Sequence, residues 1–212
     1  MGLAGLFHHR WINFDELPRK LEVMSKAALI VVDVQRDFCE GGALAASDTL
    51  SLLKPLQETI EAARRANAVI VYTKDWHPEN HSSFKTNGGP WPVHCAADTL
   101  GAELMPPLKA GGDEIVIHKG VHKDGAGYSG FELTGLENQL KKLNITRVAV
   151  AGIATEYCVR ATALDGLQSG FETVVLADLI RAVQPEEMSR VLEELKKAGA
   201  KTSTASEWLK TL

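Results

Sequence analysis

The segment Gly152–Gly166 (GIATEYCVRATALDG) sets a cysteine, Cys158, just after a short apolar run and in what reads as the first turn of a helix. Backbone N–H groups there lack intrahelical partners, so together they favour a thiolate and can depress a cysteine pKa below its usual value of about 8.5. Thr155 is placed to cap that helix, with Val159, Thr162 and Ala163 at helical spacing behind it. Taken singly, Cys158 reads more readily as a small buried core residue, the common state of a free cysteine. Two other side chains share its position in the pattern: Asp33 near the end of one apolar run and Lys119 just after another. An acid, an ammonium and a thiol meeting at one edge supply a base, a cation that keeps the base ionised, and a nucleophile.

A second set has the character of a metal site. Asp75 and His77 flank Trp76, and in extended chain residues two apart project to the same side. His81 and His94 follow within a stretch stiffened by Pro78, Pro90 and Pro92. One carboxylate with imidazoles suits a single divalent transition ion, zinc, iron or manganese, better than calcium or magnesium. Histidines in loops are also commonly plain exposed polar residues. Gly125–Gly130 (GAGYSG) satisfies G-x-G-x-x-G, but it does not follow a strand directly and lacks the acidic ribose partner, so it is set aside as a dinucleotide site. Cys39 and Cys95 read as structural, and His8, His9, His118 and His122 as solvated or structurally bonded.

These residues need elements to carry them. Ala27–Val34 (AALIVVDV), Ala68–Thr73 (AVIVYT), Glu114–His118 (EIVIH), Arg147–Gly152 (RVAVAG) and Thr173–Leu176 (TVVL) read as buried strands, and Lys201–Thr204 as a sixth. Between them, Leu53, Leu56, Ile60 and Ala63 mark one helical face. Leu133, Leu136, Leu140 and Leu143 mark another, behind a Thr134/Glu137 capping box, and Met188, Val191, Leu192, Leu195 and Ala198 a last one, closed by Gly199. This alternation predicts an α/β fold: a doubly wound, mostly parallel sheet of five to six strands with helices on both faces. Such sheets bind ligands at the carboxyl ends of their strands, which is where Asp33, Asp75, Lys119 and Cys158 fall. The irregular stretch from Trp76 to Gly112 is longer than ordinary connections and reads as functional.

Composition bounds the function. A chain of 212 residues, 45% hydrophobic and 24% charged, suits one globular domain with a sizeable core. A net charge of −4 gives no basic field for nucleic acid, and no segment approaches the roughly 20 apolar residues of a membrane span. Three cysteines without a C-x-x-C pair point to a reducing, cytoplasmic setting rather than a disulfide framework. Met1–Val23 lacks the continuous apolar stretch of a secretory signal, and Met24 is a candidate start. The expected organisation is an N-terminal extension of unknown role over residues 1–24 and a single domain over 25–212.

In order along the chain, VVDVQRDFCEGG, TKDWHPENHSSF, GGPWPVHC, IHKG, YSGF and GIATEYCV resemble the motif series of the nicotinamidases, within the isochorismatase-like cysteine hydrolases. The resemblance covers most of the chain from about Ser25. It implies a nucleophile at Cys158, a general acid/base at Asp33 and a supporting Lys119. It also implies metal ligation by Asp75, His77 and His94, with His81 either a direct ligand or a neighbour of one. Phe38 and Trp91 would sandwich a flat pyridine ring, backbone N–H groups of Ala154 and Cys158 would form an oxyanion hole, and the Ile153–Ala154 peptide would be cis. The implied activity is hydrolysis of nicotinamide to nicotinate and ammonia through a cysteine thioester, serving NAD salvage, with pyrazinamide as a further candidate substrate and a homo-oligomer as a candidate assembly. Two other readings stay open: a metal-free hydrolase of the same fold acting on another small amide or a vinyl ether, and a non-catalytic α/β small-molecule-binding protein.

Overall fold

The apolar runs become strands because neither of their faces carries enough polar side chains to meet water. The computed structural model describes residues 26–212; the expected extension over residues 1–24 lies outside them. Six strands, β1 (Lys26–Val32), β2 (Val69–Asp75), β3 (Ile115–Lys119), β4 (Ile145–Ile153), β5 (Glu172–Arg181) and β6 (Lys201–Ser203), form one sheet in the order β3-β2-β1-β4-β5-β6. Every neighbouring pair is parallel. The five- to six-stranded, mostly parallel expectation thus resolves to six strands, all parallel.

Successive side chains on a strand point to opposite faces, and the helices divide accordingly. Leu29, Val31, Ile70 and Tyr72 share a core with α1 (Thr49–Arg65) and α5 (Ala205–Leu209). Ala28, Ile30, Val32 and Val71 share the other with α2 (Leu136–Lys142), α3 (Arg160–Gln168) and α4 (Glu187–Ala198). Each fully buried Leu, Ile or Val side chain contributes about 1.5–3 kcal/mol relative to exposure, so the two layers fix β1 and β4 at the centre. From β1 the chain builds outward through β2 and β3, then returns to β4 on the other side of β1. That reversal opens a crevice above the carboxyl ends of β1 and β4.

Some local expectations are corrected. Leu133 lies outside α2, 80% exposed, and Leu143 follows its end; only Leu136 and Leu140 face the core. Thr134 and Glu137 form no capping box: Gly135 precedes the helix, Thr134 Oγ1 donates to Gly130 O (2.6 Å), and Glu137 pairs with Lys141 and accepts from Ser169 Oγ (3.1 Å). A capping box forms instead at Thr204/Glu207, ahead of α5, a helix the periodicity did not suggest. Gly199 closes α4 as expected, with Ala200 N–H donating to Leu195 O (2.9 Å). Among the described residues no helix is long and apolar enough to cross a membrane.

Leu56 is fully buried between α1 and the sheet, so Leu56→Ala should lower the unfolding free energy by about 2–5 kcal/mol in a chemical denaturation series. A loss below about 1 kcal/mol would mean that α1 is not packed as described.

Candidate active site

Asp33, Lys119 and Cys158 arrive from three separate elements and touch. Asp33 leaves the end of β1 in the left-handed region, φ 47°, and its N–H is held by the O and Oγ1 of Thr73 on β2 (3.2 Å each). Thr73 Oγ1 donates in turn to Asp33 Oδ1 (2.6 Å). Lys119 ends β3 fully buried, its Nζ 2.8 Å from Asp33 Oδ2, 3.4 Å from Cys158 Sγ and donating to Gly127 O (2.8 Å) and to Asp75 Oδ1. One ligand atom each from Asp33, Asp75 and Cys158 lie within 4.8 Å of one another.

Cys158 sits differently from the sequence expectation. Thr155–Val159 forms a π-helical turn leading into α3, following a cis peptide at Ile153–Ala154. Thr155 caps nothing: its buried Oγ1 has no hydrogen-bond partner among the described residues. Burial pushes the Cys158 thiol well up rather than down; Lys119 opposes this, while Asp33 and Asp75 add to it. Burial likewise raises Asp33, with Lys119 offsetting part of the shift. Asp75 is also desolvated, but Lys119 and His77 together hold it below the usual carboxylate range. Lys119 stays charged against its burial because Asp33 and Asp75 face it. Burial thus favours the protonated form of both Asp33 and the thiol, against the expectation that Lys119 keeps that acid ionised, whereas Asp75 stays ionised.

The donor set lies beside this cluster. Asp75, His77 and His94 each offer one ligand atom within 4.8 Å of the others, and all three are buried. His77 Nδ1 donates to Gly120 O (2.9 Å) and His94 Nδ1 to Pro92 O (2.8 Å), leaving each Nε2 as the free ligating nitrogen. Gly120, at φ +63°, lets the chain pass against the His77 ring, where a Cβ would collide. One carboxylate and two oriented imidazoles fit a zinc-like ion. His81 stacks on His77 with centroids 4.1 Å apart; its Nδ1 bonds Ser83 Oγ (2.6 Å), and its buried Nε2 has no hydrogen-bond partner among the described residues.

A cavity opens onto both groups, lined by Cys158 and the three donors. Phe38 and Trp91, the two residues expected to sandwich a ring, line it together with Leu44, Tyr128, Tyr157 and Val183. Trp91 Nε1 donates to Tyr128 OH (3.3 Å) and its ring meets Tyr157 edge-on at 5.3 Å, making an aromatic wall. Sequence reasoning missed Leu44 and Val183, which carry no pattern of their own. Tyr128 and Tyr157 were within reach, in the YSGF motif and beside Cys158. Of GAGYSG, Ala126 and Tyr128 line this cavity, and Gly127 O accepts from Lys119 Nζ (2.8 Å).

The isochorismatase domain family matches residues 27–207. The pyrazinamidase of Pyrococcus horikoshii, solved in complex with zinc, is 46% identical, with a TM-score of 0.82 over 84% of this chain and 99% of that one. PnC1 from L. infantum, solved in complex with nicotinate, is 37% identical, with a TM-score of 0.78 over 86% of this chain and 94% of that one. The nicotinamidase/pyrazinamidase of Mycobacterium tuberculosis is 38% identical over 187 residues, 84% of this chain and 99% of that protein.

The donor geometry predicts that the apo chain takes up zinc at one tight site, and that His94→Ala weakens that uptake by a factor of about 100 or more in a chelator competition titration. Unchanged affinity would remove His94 from the ligand set.

Proposed function

The chain belongs to the isochorismatase family, and from that premise we propose that residues 25–212 form a single catalytic domain, a metal-dependent amidohydrolase that converts nicotinamide to nicotinate and ammonia. The observation that carries this reading is the convergence of Cys158, Asp33, Lys119 and the Asp75/His77/His94 donors on one aromatic-walled cavity. Relatives described as nicotinamidase or pyrazinamidase, one solved with zinc and another with nicotinate, support the substrate class and the ion.

Asp75, His77 and His94 would hold one divalent ion, zinc, iron or manganese, with His81 as a neighbour or further ligand. Such an ion supplies Lewis acidity and a fixed anchor for a ring nitrogen. Phe38 and Trp91 receive the flat ring, and the apolar wall keeps bulk water away from the reacting carbonyl. Asp33 takes the proton from Cys158 Sγ, and Lys119 stabilises the negative charge at each stage. The sulfur attacks the carboxamide carbon, and the oxyanion that forms is held by the N–H groups of Ala154 and Cys158. Asp33 returns the proton to the amide nitrogen, the C–N bond breaks, and ammonia leaves behind a thioester. Asp33 then deprotonates a water molecule, which attacks the thioester carbon; the thiol is regenerated with that proton and nicotinate departs. Burial favours the protonated thiol, so this reading needs Asp33, whose own proton affinity burial also raises, in its carboxylate form at the start of each step.

Ammonia release from nicotinamide by metal-loaded protein is the deciding assay. Cys158→Ala should lower kcat by about 10⁴-fold or more with zinc binding retained, and Asp33→Asn by about 10²–10⁴-fold. Sustained turnover in Cys158→Ala would rule out the thioester route; no ammonia from the native, loaded chain would reject the assignment.

A further inference from the structure

Two polar side chains outside the reacting groups reach from a single short segment to the backbone of both donor-bearing stretches. Gln35 is fully buried two residues beyond Asp33. Its Oε1 accepts from Asp75 N (2.8 Å), and its Nε2 donates to Asp75 O (2.8 Å) and to Ala102 O (2.9 Å). The β1–β2 ladder ends at the Val32–Thr73 pair, so main-chain pairing with β1 stops before Asp75. The Gln35 carboxamide takes the place of the missing strand, gripping both backbone groups of Asp75 as a ladder neighbour would.

Asp37, two residues on, does the same for the other stretch. Its Oδ2 accepts from Cys95 N (2.7 Å), the peptide immediately after His94. Gly101 packs against the Asp37 carboxylate so closely that a Cβ there would overlap it. The segment is itself anchored, with Arg36 N–H donating to Glu103 O (2.9 Å) and Met105 N–H to Val34 O (2.8 Å). It also ends in Phe38, on the cavity wall.

We propose that Gln35 and Asp37 are positioning residues that set the spacing of Asp75 and His94, joining the two halves of the donor set to each other and to the ring-binding wall. The inference rests on the reading of Asp75, His77 and His94 as metal ligands. Neither side chain touches substrate or ion; both act through the backbone they hold. A buried carboxamide satisfied on both edges, and a carboxylate accepting a charge-assisted bond, restrict the donor peptides far more tightly than the loop alone. Partners of this outer kind typically cost about 10- to 100-fold in metal affinity when removed.

The test is zinc affinity of the full chain by chelator competition, alongside thermal unfolding of the zinc-free protein. Gln35→Met keeps the volume and loses every hydrogen bond; Asp37→Ala loses the acceptor. Each should weaken zinc by about 10- to 100-fold. Asp37→Asn, which keeps an acceptor oxygen for Cys95 N, should recover part of the Asp37→Ala loss. Leu56→Ala should lower thermal stability and leave zinc affinity unchanged. Folded Gln35→Met and Asp37→Ala binding zinc within about 3-fold of the native chain would overturn the proposal. So would an equal loss in Leu56→Ala, since affinity would then follow global stability. Should Gln35→Met and Asp37→Ala fail to fold, Gly101→Ala decides, because it crowds the carboxylate from outside: weakened zinc supports the proposal and native affinity overturns it. A native chain that takes up no zinc rejects the ligand set and this inference together, an outcome distinct from variants that bind as the native chain does.

Discussion

A buried ammonium facing two carboxylates and a thiol is the interaction on which this sheet edge depends. Taking one charge out of water costs several kcal/mol, and that cost is offset only where the geometry supplies partners on every side. Lys119 has them: Asp33 from β1, Asp75 from β2, Gly127 O from the following loop and the Cys158 sulfur beyond β4. Each partner comes from a different element, so the cluster holds together only if β1, β2, β3 and β4 end at matching heights. The parallel register does this, pairing Asp75 directly with Lys119 across β2 and β3. Without the ammonium, Asp33 and Asp75 would face each other with nothing to neutralise them in a dry interior.

The same sheet edge explains why the donor set can lie so close to the proposed nucleophile. Asp75 belongs to both groups: Oδ1 accepts from Lys119, while Oδ2 lies 3.4 Å from His77 Nε2. One carboxylate thus couples the position of the ligand cage to the position of the ammonium. The cavity beside them is lined by aromatic Phe38, Trp91, Tyr128 and Tyr157 together with Asp75, His77, His94 and Cys158, the mix of apolar surface and a few directed polar groups that small-molecule sites share.

Much of this was legible in the sequence because it follows from short-range periodicity. The apolar runs gave the strands and their parallel arrangement, and strand-end position alone selected Asp33, Asp75, Lys119 and Cys158. What escaped depends on long-range contact. The π-turn at Thr155–Val159 takes the place of the expected capped helix, and Thr155 Oγ1 is left buried without a hydrogen-bond partner among the described residues. Leu133 fits the helical stripe yet points to solvent, since periodicity cannot say where a helix begins. Leu44 and Val183 reach the cavity only because separate loops fold over it, and Gln35 looks like any polar residue after a strand until its partners 40 residues away are seen.

The two aspartates show how environment assigns roles that residue type leaves open. Asp33 and Asp75 both lie at strand ends, both are fully desolvated, and both face Lys119. Asp75 has a second partner in the His77 imidazole, and its backbone is gripped on the β1 side by Gln35. It is therefore held ionised and still, as its proposed role as a ligand requires. Asp33 has one ammonium, a hydroxyl from Thr73 and otherwise a dry surrounding, so burial wins and its proton affinity rises. The thiol beside it is pushed in the same direction by burial, so both groups favour their neutral forms while Asp75 does not. What separates the two proposed roles, ligand and acid/base, is the His77 imidazole beside Asp75 and the grip of Gln35 on its backbone, contacts that strand-end position alone does not reveal.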